Sequence, residues 1–187
     1  NEAFPWLSGK EISVGTTTAH ALRVNFVGEL GWEFHHPIEQ QVALFDHLME
    51  AGKEFGIRPY GIKAMIALSV EKSYRLIGRE LSIEYAALES GLDRFVRLDK
   101  GDFRGRAALA AWKQRGFDWR FVTMEVDGVG EGDSDVRGSE PIHLDGKLVG
   151  RCTNGGFGWR VGKSLALAMV RRDLGEVGQQ LDVTILG

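Results

Sequence analysis

Arg23-Val24-Asn25-Phe26-Val27-Gly28-Glu29-Leu30-Gly31-Trp32-Glu33 decides how the opening of this chain is read. A β-rich run, Ala19 to Val27, meets a Gly-Glu-Leu-Gly turn, and a second strand, Trp32 to His36, is expected to pair back across it. Glycine enters backbone regions closed to other residues. Gly28 and Gly31 therefore let the turn gather Glu29, Trp32 and Glu33. A carboxylate held beside aromatic faces suits a flat, nitrogen-rich heterocycle with N–H donors and a stacking surface. The same stretch also reads as an ordinary hairpin turn with a solvent-facing glutamate.

Working outward, Pro37 precedes a helix in which Val42, Phe45, Leu48 and Met49 recur at helical spacing, with Gly52 near its stop. A second helix follows Pro59, a residue suited to a first turn. Its Ile62, Met65, Ile66, Leu68 and Val70 are dense enough to imply burial. Glu84–Leu92 reads as short and partly helical, Phe95–Leu98 as a strand, and Asp102 as a helix cap before Arg104. Gly105–Arg115, rich in Ala, reads as a third helix. Past Gly116 the pattern changes. Phe121–Val126, Ile142–Leu144, Lys147–Arg151, Leu165–Val170 and Leu181–Leu186 are short strand-like runs, and Asp145-Gly146 marks a tight hairpin. An acid- and glycine-rich loop, Asp127 to Ser139, separates the first from the rest. Short strands with turn signals predict a small antiparallel barrel. The expected class is α+β, with an α/β part over 1–116 and a small antiparallel β-barrel over 117–187.

Composition bounds the function. With 187 residues, 43% hydrophobic and 26% charged, the chain resembles a soluble globular protein in its make-up. A net charge of −3 gives no electrostatic support for nucleic-acid binding. No apolar run is long enough to suggest a membrane span, and no signal segment opens the chain. The single Cys152 excludes an internal disulfide, fits a reducing, cytoplasmic setting, and is expected to be a buried, unreactive thiol. The chain begins at Asn1 and stops at the edge of a strand-like run, so it is read as a fragment whose barrel is left open.

Phe26 to Glu33 resembles the folate-binding signature of the glycine-cleavage T-protein (aminomethyltransferase) family. Phe26 stands at that signature's Tyr, Val27 at its Thr, and Glu29 and Glu33 at its two glutamates. Gly61–Tyr74, Leu88–Arg106 and Lys163–Gly187 continue the likeness in order. The Gly-Glu-Leu-Gly-Trp-Glu, Lys-Ser-Leu-Ala and Glu-Val-Gly-Gln-Gln runs are most similar to the dimethylglycine and sarcosine dehydrogenase branch. The resemblance implies a partial folate-binding domain followed by a barrel. It implies tetrahydrofolate as cofactor, with Glu33 on the pterin, Phe26 beside it, and Trp32 and Glu29 as further candidates. In that branch a flavin domain, carrying FAD and absent from this chain, oxidises an N-methylated amine, and the folate module captures the released carbon as methylene-tetrahydrofolate. The implied partners are small-molecule substrates and missing N-terminal domains of the same polypeptide. By itself the chain is expected to be inactive.

Two departures from the family stand out. Met65 occupies the position of an Arg that reaches folate, and Ser69 that of the Arg in a Leu-Arg-Leu-Glu run, here Leu68-Ser69-Val70-Glu71. A cation able to pair with Glu71 is thereby missing. A point charge at Lys72 does not replace a planar fork. No residue matches the family's catalytic aspartate. Gly156–Ser164 (GFGWRVGKS) mimics a phosphate loop, but its spacing fails by one and strand-like flanks replace the helix. His35 and His36 point to opposite faces of a strand and cannot chelate one metal together. These departures leave a non-catalytic scaffold and a folate-dependent demethylase as alternative readings.

Overall fold

The structure, a computed structural model, describes residues 2–133 and 135–185. They divide into two compact units, one running to Met65 and the other beginning at Ile66.

The first unit is built on a three-stranded antiparallel sheet, β1 (Gly9–Val14), β2 (Thr17–Leu22) and β3 (Glu33–His35), in that order. Alternation along β2 buries Thr17, Ala19 and Ala21 and turns Thr18 and His20 to solvent, as the two-residue strand period requires. β3 pairs with β2 so that Glu33 faces Leu22 and His35 faces His20. The expected pairing therefore forms, but the expected strand to Val27 does not: β2 ends at Leu22, and residues 23–32 form a loop. The cause is Asn25. Its Oδ1 accepts the backbone N–H groups of Val27, Gly28 and Glu29 at 3.2, 2.6 and 3.1 Å, offering the backbone an alternative to the sheet ladder. Helix α1 (Gln41–Gly52) follows a 3-10 turn at Ile38–Gln40. Only Leu44 of α1 is buried; Val42 and Phe45, expected on its apolar stripe, are exposed.

Helix α2 (Ile62–Glu71) begins beyond Pro59, which thus lies in its lead-in and not in its first turn. Its burial is concentrated at the end, where Ser69 and Val70 are fully enclosed while Ile62 is exposed.

In the second unit, α3 (Arg106–Arg115) precedes a five-stranded antiparallel sheet. Its strands are β4 (Trp119–Val126), β5 (Pro141–Leu144), β6 (Lys147–Gly158), β7 (Lys163–Arg171) and β8 (Asp182–Val183), in spatial order β4-β7-β6-β5-β8. One face of this sheet carries a core of Val136, Ile142, Val149, Cys152, Ala166, Ala168 and Val170. A second cluster joins Leu165 and Leu167 to Val70, with Ile66 and Phe121 against it. The Asp145-Gly146 hairpin forms with both residues left-handed, φ 51° and 74°, the pair of angles a tight primed turn demands. β8 covers less than the expected Leu181–Leu186, whose last residue lies outside the described ones.

Three local expectations are corrected. Glu84–Leu92 is a chain of turns without helix. The buried Glu89 carboxylate organises it, accepting N–H from Ala86 at 2.8 Å and from Asp118 and Trp119 at 3.1 Å each. Phe95–Leu98 is not a strand: Phe95 ends a 3-10 turn begun at Asp93, and Val96–Leu98 join no sheet. Asp102 does not cap: α3 starts at Arg106, behind Gly105 at φ 88°, with no side-chain cap bond. The Gly-Lys-Ser run is the tip and outgoing strand of the β6–β7 hairpin, with strand, not helix, after Lys163.

Candidate functional site

Four of the five candidate residues, Phe26, Glu29, Trp32 and Glu33, lie on the Asn25-organised loop and the start of β3; Met65 comes from α2. Gly28 takes φ 73°, which lets the backbone fold around the Asn25 oxygen. Gly31 serves differently: a Cβ there would lie 3.1 Å from the Asn25 Cβ, tighter than side chains normally approach. The two glycines of the turn thus serve differently, Gly28 by its backbone angle and Gly31 by leaving uncrowded the space beside Asn25.

Trp32 stands at the end of this loop. The Phe4 ring meets it edge-on, with centroids 6.1 Å apart and planes at 81°. The indole still keeps 41% exposure. Glu33 follows at the first position of β3, its side chain half-exposed, with one carboxylate oxygen 3.7 Å from the His35 Nε2. Phe26 is half-buried in the loop, Glu29 is exposed and Met65 is half-buried. Trp32 and Glu33 are consecutive at the entry to β3, an accessible indole followed by a half-exposed carboxylate.

Sequence reasoning missed Asn25, although an Asn three residues before a Gly is a recognisable turn signal. It also missed the row Glu11–His20–His35, which only the strand register reveals: Glu11 faces His20 on β1–β2, and His20 faces His35 on β2–β3. His20 Nε2 lies 3.9 Å from the Glu11 carboxylate. Among the described residues, no group of three or more His, Cys, Asp or Glu is placed to hold a metal ion. No helix there is long and apolar enough to cross a membrane.

The α2 departures find local solutions. Ser69 is fully buried and donates its hydroxyl to the Ile66 carbonyl at 2.8 Å. Glu71 accepts the backbone N–H of Arg160 at 2.8 Å, so this carboxylate has a partner. Cys152 is 1% exposed, and burial, reinforced by Glu140, pushes its thiol up to about 12. It stays protonated at neutral pH and is no nucleophile.

The mixed α/β architecture, with its antiparallel sheets and few helices, matches that of the glycine cleavage system aminomethyltransferase T from Bartonella henselae. The TM-score is 0.83 at 20% identity, over 100% of this chain and 50% of that one. Residues 1–100 match the model of the GCVT N-terminal domain, and residues 120–187 that of the glycine cleavage T-protein C-terminal barrel domain. The chain belongs to the glycine cleavage T-protein family. Among its relatives, the mitochondrial dimethylglycine dehydrogenase of Homo sapiens is 42% identical over 190 residues, which cover 100% of this chain and 21% of the relative. The aminomethyltransferase of Moorella thermoacetica is 33% identical over 187 residues, covering 98% of this chain and 48% of the relative. The chain thus spans about a fifth of the dehydrogenase and about half of the aminomethyltransferase, and in both it matches the T-protein part.

Proposed function

We propose that this chain is a tetrahydrofolate-binding one-carbon transfer module from an enzyme of the dimethylglycine dehydrogenase branch. The observation that carries the reading is the half-exposed Glu33 carboxylate that follows the accessible Trp32 indole in the chain, where a loop fixed by Asn25 enters β3. Glu33 accepts N–H bonds from the pterin. Phe26 and Trp32 supply apolar ring surface, Glu29 lines the loop, and Met65 offers an apolar contact where relatives of the family carry an arginine. Tetrahydrofolate, when bound, supplies the nucleophilic nitrogen that receives the one-carbon unit. The chain's own residues bind and orient it, and positioning is the main source of rate such a site can offer.

The same proposal places FAD and the oxidation of an N-methylated amine, dimethylglycine or sarcosine, on a separate domain of a longer polypeptide. The share of the dehydrogenase that this chain covers supports that reading. It sets the division between folate part and barrel near residue 117, supported by matched segments that end at 100 and resume at 120. The lone buried thiol suits a reducing compartment, the cytoplasm in this reading.

Glu33→Ala in the natural polypeptide that carries this chain tests the assignment. Losing a charged hydrogen-bond acceptor is expected to cost about 1.5–3 kcal/mol of tetrahydrofolate affinity by calorimetry. Unchanged affinity would remove Glu33 from the site. It would favour the scaffold reading, to which Ser69 lends support: a self-satisfied hydroxyl stands where the family usually has a cation.

A further inference from the structure

We infer that Phe4 is a positioning residue for Trp32: it clasps the two ends of the candidate loop and fixes the plane of the indole offered to the pterin. This inference rests on the folate reading above and deepens it, naming a residue outside the loop on which the site depends.

The loop runs from Arg23 to Trp32, between β2 and β3, and Phe4 holds both of its ends. At the first, the Arg23 guanidinium donates from Nη1 to the Phe4 carbonyl at 2.6 Å. At the last, the Phe4 ring stands against the Trp32 indole, with centroids 6.1 Å apart and planes at 81°. A perpendicular pair sets the angle between two rings as well as their distance, because the positive edge of one meets the negative face of the other. An indole left to itself turns about χ1 and about a broad χ2. The Phe4 contact selects one setting of both. It does so at the residue directly before Glu33, so the indole plane and the carboxylate keep a constant relation.

Phe4 can orient a neighbour only if it is itself held, and three features hold it. The backbone N–H of Arg23 donates to the Ser8 carbonyl at 2.9 Å, and that of Leu7 donates to the Arg23 carbonyl at 3.2 Å. Residues 4–8 are thus pinned to the head of the loop by main chain as well as by the guanidinium. Lys10, on β1, places its ammonium 5.3 Å from the Phe4 ring centroid, within cation–π reach, and also donates to the Ala3 carbonyl. The turn that returns the chain from Phe4 is tight: the Pro5 carbonyl accepts both the N–H and the hydroxyl of Ser8, at 3.2 and 2.5 Å. Leu7 inside it takes φ 60°, a left-handed angle unfavourable for leucine, with its side chain 65% exposed. Such a conformation persists where the surroundings over-determine it. Here the surroundings are the contacts that bring Phe4 back onto Arg23 and Trp32.

The experiment measures the Kd for tetrahydrofolate, anaerobically, in the natural polypeptide that carries this chain. Wild type, Phe4→Leu, Phe4→Tyr, Trp32→Leu and the double variant Phe4→Leu with Trp32→Leu are compared. Phe4→Leu keeps apolar bulk and removes the ring, and is expected to weaken binding about fivefold, the worth of one aromatic pair. Phe4→Tyr keeps the ring and is expected to bind as wild type. Trp32→Leu is expected to weaken binding about tenfold. Adding Phe4→Leu to it should then cost nothing further, because Phe4 acts through the indole. Fluorine NMR on protein grown with fluorotryptophan supplies a ligand-free readout, the Trp32 line being the one absent from Trp32→Leu. That line should shift and broaden in Phe4→Leu and keep its place in Phe4→Tyr. If Phe4→Leu lowers affinity by the same factor with and without the indole, Phe4 is merely structural and the inference is overturned. If Phe4→Leu binds as wild type while Trp32→Leu binds weakly, the inference is overturned and the folate site stands. If Trp32→Leu and Glu33→Gln both bind like wild type, the folate assignment itself fails, and the clasp has no ligand to serve.

Discussion

One oxygen on Asn25 accepts three backbone amides, and the whole candidate loop hangs from it. Asn25→Ala leaves those amides without their acceptor and should cost about 1 kcal/mol in urea unfolding and, on the folate reading proposed above, a parallel loss of tetrahydrofolate affinity. Asn25→Asp keeps an acceptor in place and should behave nearly as wild type. An equal loss for both would show that the side chain matters for its amide and not for its oxygen. Glu89 is a deeper case. Its carboxylate is 2% exposed and satisfies three N–H groups, two of them at the entry to β4. Glu89→Gln turns an amide donor toward backbone donors and should lower the unfolding free energy by about 2–3 kcal/mol, read as a shifted denaturant midpoint. Neither role was legible in the sequence. A glutamate between Leu88 and Ser90 carries no mark of the amides it will meet, two of which lie about thirty positions further on.

At the scale of elements, legibility followed locality. The Asp145-Gly146 hairpin was readable because two adjacent residues decide its backbone angles. α1, α2 and α3 were readable from spacing and composition, though not their burial, which depends on what packs against them. Phe95–Leu98 misled because Phe and Val favour strands only where a neighbouring strand accepts them, and here a 3-10 turn ends on Phe95 and Val96–Leu98 pair with no strand. The candidate residues of the loop were legible as a motif, whereas the Glu11–His20–His35 row required the register of three strands. The glycines of β6 are similar. A Cβ at Gly155 would sit 2.5 Å from the Val136 carbonyl oxygen and 2.9 Å from that of Leu165. Backbone cannot give way as a flexible side chain can, so Gly155→Ala should destabilise by about 2 kcal/mol or more, measured as a lowered Tm.

For the molecule as a whole, the buried thiol sets an alkaline limit. Cys152 has its folded pKa raised from 9.0 to about 12, because burial penalises the thiolate. A group raised in this way contributes stability that is fully present below its unfolded value and is lost as pH climbs toward the folded one. Thermal stability should therefore decline from about pH 9 upward, and Cys152→Ala should make the decline shallower. An unaltered slope would place the alkaline weakness elsewhere, with Tyr85, also raised by burial, as the next group to test.

β7 lies between β4 and β6, and seven consecutive residues, Ser164 to Val170, are buried along it. Its amides are closed off on both edges of the strand and on both faces of the sheet. In deuterated solvent they should be the slowest in the chain to exchange, opening only when the second unit unfolds completely. Their exchange rate is then a clock for the global stability of that unit. The amides of Val27, Gly28 and Glu29, tied to a single side-chain oxygen, should exchange long before it advances.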